Sequence, residues 1–156
     1  NGVPMGSDLI LKEDQSPSFF IWAAKDPSKT SLQRIQIIKG WVEDGEGKEA
    51  VIDVACSDGL SVDPDTNRCP DNGATVDLTN CEITPNKGAK ELSVVWKDKN
   101  FSQDQRAFYY VRVLENPTCR WSTYDAIRAG VQPRPGMKAT IQDRAWSSPI
   151  WYQPNT

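Results

Sequence analysis

The chain has 156 residues, with 18 basic and 21 acidic side chains, a net charge of −3 and no histidine. That length holds one domain with a real core and is too short for two of ordinary size. The absence of histidine rules out a Ser-His-Asp triad, a Cys-His pair and imidazole-ligated zinc or iron. No block of basic residues suits a nucleic-acid groove, and no apolar run approaches the roughly 20 residues of a membrane span.

The N-terminal stretch "NGVPMGSDL" carries Gly2, Pro4, Gly6 and a single carboxylate, Asp8. It begins without an initiator Met and reads like the middle of a protein. Residues 1–17 are expected to be a linker or arm leaving an upstream domain, and 18–156 a β-rich domain. "SFFIWAA" (18–24) is the first strand and stops at "KDPSK", where Pro27 forbids ladder donation. "LQRIQIIKGWV" (32–42) alternates Arg34 and Gln36 with Ile35 and Ile37, the period of a half-buried strand. The turn signal "EDGEG" then returns the chain through "KEAVIDVA" (48–55), which makes a hairpin.

From Cys56 to about Gly73 the apolar residues disappear. A loop this long inside a compact domain is usually functional, disordered or cross-linked, and its cysteines favour the last. Cys56, Cys69, Cys81 and Cys119 are spaced by 13, 12 and 38 residues, with no C-x-x-C pair for zinc or thiol redox work. Two disulfides in an oxidising compartment are expected, with a tied loop over 56–81. Three pairings remain open. Cys56 with Cys69 and Cys81 with Cys119 is preferred, because the first bond would staple the loop to itself.

"ATVDL" (74–78) and "ELSVVWK" (91–97) read as further strands, and "FSQDQ" (101–105) as a polar connection. In "AFYYVRVL" (107–114), Phe108, Tyr110 and Arg112 face one way and Tyr109, Val111 and Val113 the other, as in a strand central to its sheet. "STYDAIRAG" (122–130) predicts a helix of two turns, capped by Ser122 or Thr123, with Asp125 in its first turn and Gly130 as its stop. "VQPRPGM" is irregular, and "ATIQDRAW" and "PIWY" close the chain as strands. Short strands, one small helix and no βαβ alternation predict an all-β, immunoglobulin-like antiparallel sandwich.

Candidate chemistry is sparse. Asp63, Asp65, Asn67 and Asp71 offer closely spaced oxygen ligands that a calcium ion could use. The EF-hand pattern fails, however, with Arg68 at the sixth position and Ala74 at the twelfth, so Asx turns are the favoured reading. Tyr109, Tyr110 or Tyr124 with Lys97 could be imagined as acid–base partners, without any sign of a perturbed pKa. Most of the six tryptophans lie in or beside predicted strands, where packing in the core or against another domain outweighs a sugar platform. Trp121, Trp146, Trp151 and Tyr152 are the packing or interface candidates. The pairs Arg120–Trp121 and Arg144–Trp146 suggest guanidinium stacking on indole more than anion binding.

The stretches "QRAFYYVRVLENPTCRWSTYDA" and "IQDRAWSSPIWY", with "NGVPMGSDL", "LQRIQIIKGW" and "GATVDL", resemble the C-terminal part of a large bacterial family of unknown function. Its full-length members resemble PHP-type (polymerase and histidinol phosphatase) metallohydrolases and usually carry a secretion signal. The resemblance covers nearly the whole chain. It implies a periplasmic or secreted protein whose His/Asp metal site lies upstream of Asn1, so no metal-site residue carries over. The reading is a non-catalytic domain without a cofactor, whose partner is the upstream domain of the same polypeptide. A carbohydrate- or calcium-binding module is the alternative.

Overall fold

The computed structural model describes residues 2–154. Asn1, at the head of the expected arm, and Asn155 and Thr156, at the end of the expected domain, lie outside the described residues. In chain order the strands are β1 (Asp8–Leu9), β2 (Ser18–Ala24), β3 (Leu32–Glu43), β4 (Glu46–Cys56), β5 (Glu91–Lys97) and β6 (Ala107–Glu115). They are followed by β7 (Thr118–Cys119), helix α1 (Trp121–Ala129), β8 (Thr140–Ile141), β9 (Arg144–Trp146) and β10 (Ile150–Tyr152).

The architecture grows from the β3–β4 hairpin. Asp44 and Gly45 both take positive φ, at 53° and 79°, and form the two-residue turn whose twist matches that of the flanking strands. β6 pairs with the other edge of β3, and β10 and β9 continue from β6, giving the order β1-β10-β6-β3-β4 with β9 also on β6. These pairs are antiparallel except β1, which runs parallel to β10 and brings the N-terminal arm onto the sheet. Gly6, at a φ of 87°, donates to Pro149 O and fixes the approach of that arm.

β2 and β5 form a separate two-stranded layer. Its inward parity, Phe19, Ile21 and Ala23 with Leu92, Val94 and Trp96, closes over Ile35, Ile37, Ala107 and Tyr109 of the larger sheet. Ile35 and Ile37 are fully buried. Removing each such side chain from water stabilises the fold by about 1.5–3 kcal/mol. The result is the expected all-β sandwich with one short helix among the described residues.

Local chemistry shifts several boundaries. "ATVDL" does not form a strand; it contributes one bridge, Val76 with Ile83. Asp77 accepts hydrogen bonds from the Thr79 amide and hydroxyl, which turns the chain before a ladder can extend. "ATIQDRAW" is split into β8 and β9 because Gln142 turns its side-chain amide onto Gln33 Oε1 and Glu115 O. The cap of helix α1 lies two residues before Ser122, the earlier of the two expected, which leaves Asp125 outside the first turn. Arg120 is its cap residue, without a side-chain cap, and the Thr123 hydroxyl donates to Ala139 O instead. Gly130 ends the helix in the left-handed conformation, as a C-cap glycine should.

Candidate interdomain surface

The loop between β4 and β5 is held by two disulfides and a buried polar knot. Cys56 bonds Cys69 and Cys81 bonds Cys119, the preferred pairing. A register shift in the β3–β4 ladder sets Asp53 opposite Gln36. The Asp53 carboxylate, 2% exposed, accepts from Gln36 Nε2 at 2.6 Å and from the Cys69 amide at 2.7 Å. Deeper in the loop, Asn72 Nδ2 donates to Ser57, Asp58 and Asn116, while Asn72 Oδ1 accepts from Gln33. Gly88 is obligatory there, since its φ is 84° and an added Cβ would overlap Asn116, Ser31 and the Leu32 carbonyl.

The oxygen atoms considered for calcium serve this loop. Asp63 Oδ1 accepts from the Asp65 and Thr66 amides, and these bonds, that of Thr66 foremost, hold its carboxyl below the ordinary value. Asn67 sits at positive φ and its carbonyl accepts the Asp53 amide; Asp71 Oδ1 accepts from Gly73. Asp65 contributes its backbone amide to the Asp63 turn. Among the described residues, no group of three or more Cys, Asp or Glu side chains is placed to share a metal ion.

The imagined acid–base partner of Tyr109 is also different. Tyr109 faces Lys39 and Asp98, not Lys97, which pairs with Ser18 at the end of β2. Burial, reinforced by the hydrogen bond to Asp98, pushes the Tyr109 hydroxyl far above its ordinary value, so it keeps its proton at neutral pH.

What the molecule presents to solvent is aromatic. Trp41 and Trp96 pack against the core, whereas Trp22, Trp121, Trp146 and Trp151 are 60%, 73%, 59% and 47% exposed, so of the two expected fates, packing in the core or against another domain, the core accounts for the first pair alone. The cause is parity. Trp22 stands on the outward side of β2 because Phe19, Ile21 and Ala23 point in. Trp121 begins α1, whose buried residues are Thr123 and Ala126.

Phe20, Trp22 and Val95 share the outer face of the β2–β5 layer, with Phe20 directly opposite Val95 and Trp22 Nε1 donating to Glu91. Phe20 is 75% and Val95 64% exposed. This face borders a cleft of about 420 Å³ lined by Val3, Met5, Phe20, Trp22, Tyr110 and Trp146. Of the four interface candidates, only Trp146 belongs to it. Trp121 lines a recess beside the Cys81–Cys119 disulfide, Trp151 packs on Phe108, and Tyr152 is buried with its hydroxyl donating to Gln103 O. Phe20 and Trp22 were missed because "SFFIWAA" is apolar at both parities.

The fold and surface define a class: a disulfide-bonded all-β sandwich with exposed aromatic side chains on the outer face of its smaller layer. The chain belongs to the family described as "Protein of unknown function (DUF3604)", whose model matches residues 1–154. No curated protein and no solved structure matches it. Among the described residues no helix is long and apolar enough to cross a membrane, and the two disulfides fit a periplasmic or extracellular protein.

Proposed function

We propose that this chain is a non-catalytic domain that packs on and stabilises a PHP-like metallohydrolase domain preceding it in an exported bacterial polypeptide. The observation that carries the reading is the outer face of β2–β5, where Phe20, Trp22 and Val95 stand side by side in solvent next to an apolar cleft. Contiguous exposed aromatic surface of this kind marks an interaction site more often than a free surface. β2 carries no charged side chain between Ser18 and Ala24, and among the described residues its strand pairing is to β5 alone. Such an edge invites cover. The resemblance to exported PHP-like proteins supplies the partner.

The test compares a longer polypeptide, containing the upstream domain and these residues, with its Phe20→Ser/Trp22→Ser variant. The expected result is a melting temperature lowered by several degrees and weakened hydrolase activity, while the isolated variant chain keeps its far-ultraviolet spectrum. Unchanged melting and activity in the long variant would overturn the reading.

A further inference from the structure

Three cations without a partner line one recess on the side of the sandwich where α1, β8 and β9 meet. Arg120, Lys138 and Arg144 border a space of about 760 Å³ together with Gln33, Gln142 and Trp146. Among the described residues none of the three joins an ion pair, and Arg120 Nε is buried without a hydrogen-bond partner. On a chain that is acidic overall, such a group is not what composition alone supplies.

Two carboxylates, Asp71 and Asp143, share the recess with the three cations. Asp71 Oδ1 accepts the Gly73 amide, and Asp143 stands near enough to Glu115 to disfavour the ionisation of its carboxyl. A net positive charge remains. The recess holds three cations against two carboxylates, and an incoming carboxylate would accept charge-assisted hydrogen bonds from its guanidinium and ammonium groups.

The rest of the lining narrows the ligand. Trp146, 59% exposed, lines this recess as well as the cleft beside β2 and supplies its indole. Gln142 Nε2 is committed to Gln33 Oε1 and Glu115 O, which fixes the amide and leaves its carbonyl oxygen to accept from a hydroxyl. A simple inorganic anion would use the cations but not the indole, and a neutral sugar the reverse. The volume lies within the range of small-molecule sites. We propose that this recess binds an acidic saccharide, its carboxylate held by Arg120, Lys138 and Arg144 and one pyranose face laid on Trp146.

The test is titration calorimetry of the chain with tri-galacturonate, with an uncharged galactose trisaccharide and with inorganic sulfate. Saturable binding of tri-galacturonate is expected, weakening as salt rises. Arg144→Gln and Trp146→Ala should each weaken it by about tenfold or more, the loss of one good charge-assisted or stacking contact. Arg144 and Trp146 lie in the exposed strand β9, so these variants keep the fold, and their circular dichroism verifies that. Absence of binding, equal affinity for the neutral trisaccharide or for sulfate, or affinity untouched by both substitutions would each overturn the proposal.

Discussion

Lys39 Nζ lies 2.6 Å from Asp98 Oδ2 between β3 and the loop after β5, with the two side chains 5% and 3% exposed. The ammonium also donates to Asn100 O and sits over the rings of Trp41 and Tyr109. Asp98 accepts from the Tyr109 hydroxyl at 2.7 Å and from the Asn100 amide at 2.9 Å. Each buried charge is thus surrounded by complementary groups, which is the condition under which an internal ion pair is tolerated.

Removing one partner strands the other in the core. Lys39→Met should therefore lower the unfolding free energy by about 3–5 kcal/mol, read by urea denaturation. Lys39→Met/Asp98→Asn should cost less than the two single changes together, because the stranded charge is gone. Additive losses would show that the pair does not act as a unit.

Gly40 is opposite Phe108 in the β3–β6 ladder, and the phenyl ring lies where a Cβ on Gly40 would be. Phe108 is held there by Tyr110, at 6.3 Å between near-parallel rings, and by Trp151 at 5.2 Å. Gly40→Ala should destabilise the chain by about 1–3 kcal/mol through overpacking. In a Phe108→Ala background the same change should be nearly neutral. A thermal-melt double-mutant cycle checks this, and an equal penalty in both backgrounds would point to the backbone rather than the ring.

Glu115 carries a pH dependence of the less common sign. Burial, with Asp143 nearby, raises its carboxyl above the ordinary 4.5, and Oε2 has no hydrogen-bond partner. The folded state therefore holds this proton more tightly than the unfolded chain. The group costs nothing below the unfolded pKa, and its cost grows as pH rises through the folded value. Glu115→Gln should raise the melting temperature at pH 7, and the gain should vanish below about pH 4. Melts from pH 3 to 8 measure it; a gain that persists at pH 3 would assign the effect to something other than charge.

Much of the secondary structure is written locally. The alternation at 32–42, the Asp44–Gly45 turn and Gly130 each specify their conformation through residues a few positions away. The candidate surface was less legible. In "SFFIWAA" both parities are apolar, so nothing local says that Ile21 enters the core while Phe20 and Trp22 face solvent. The recess lined by Arg120, Lys138, Arg144 and Gln33 could not be seen at all, since it joins segments more than 80 residues apart.

The sequence by itself determined an extended, disulfide-bonded chain without imidazole chemistry, because β propensity, turn residues and composition act over short range. Only the tertiary structure decided which side of each strand is buried, that Lys39 meets Asp98, and which aromatic rings remain uncovered. Those outcomes depend on how the two layers close over each other, and burial is a property of neighbours distant in the chain.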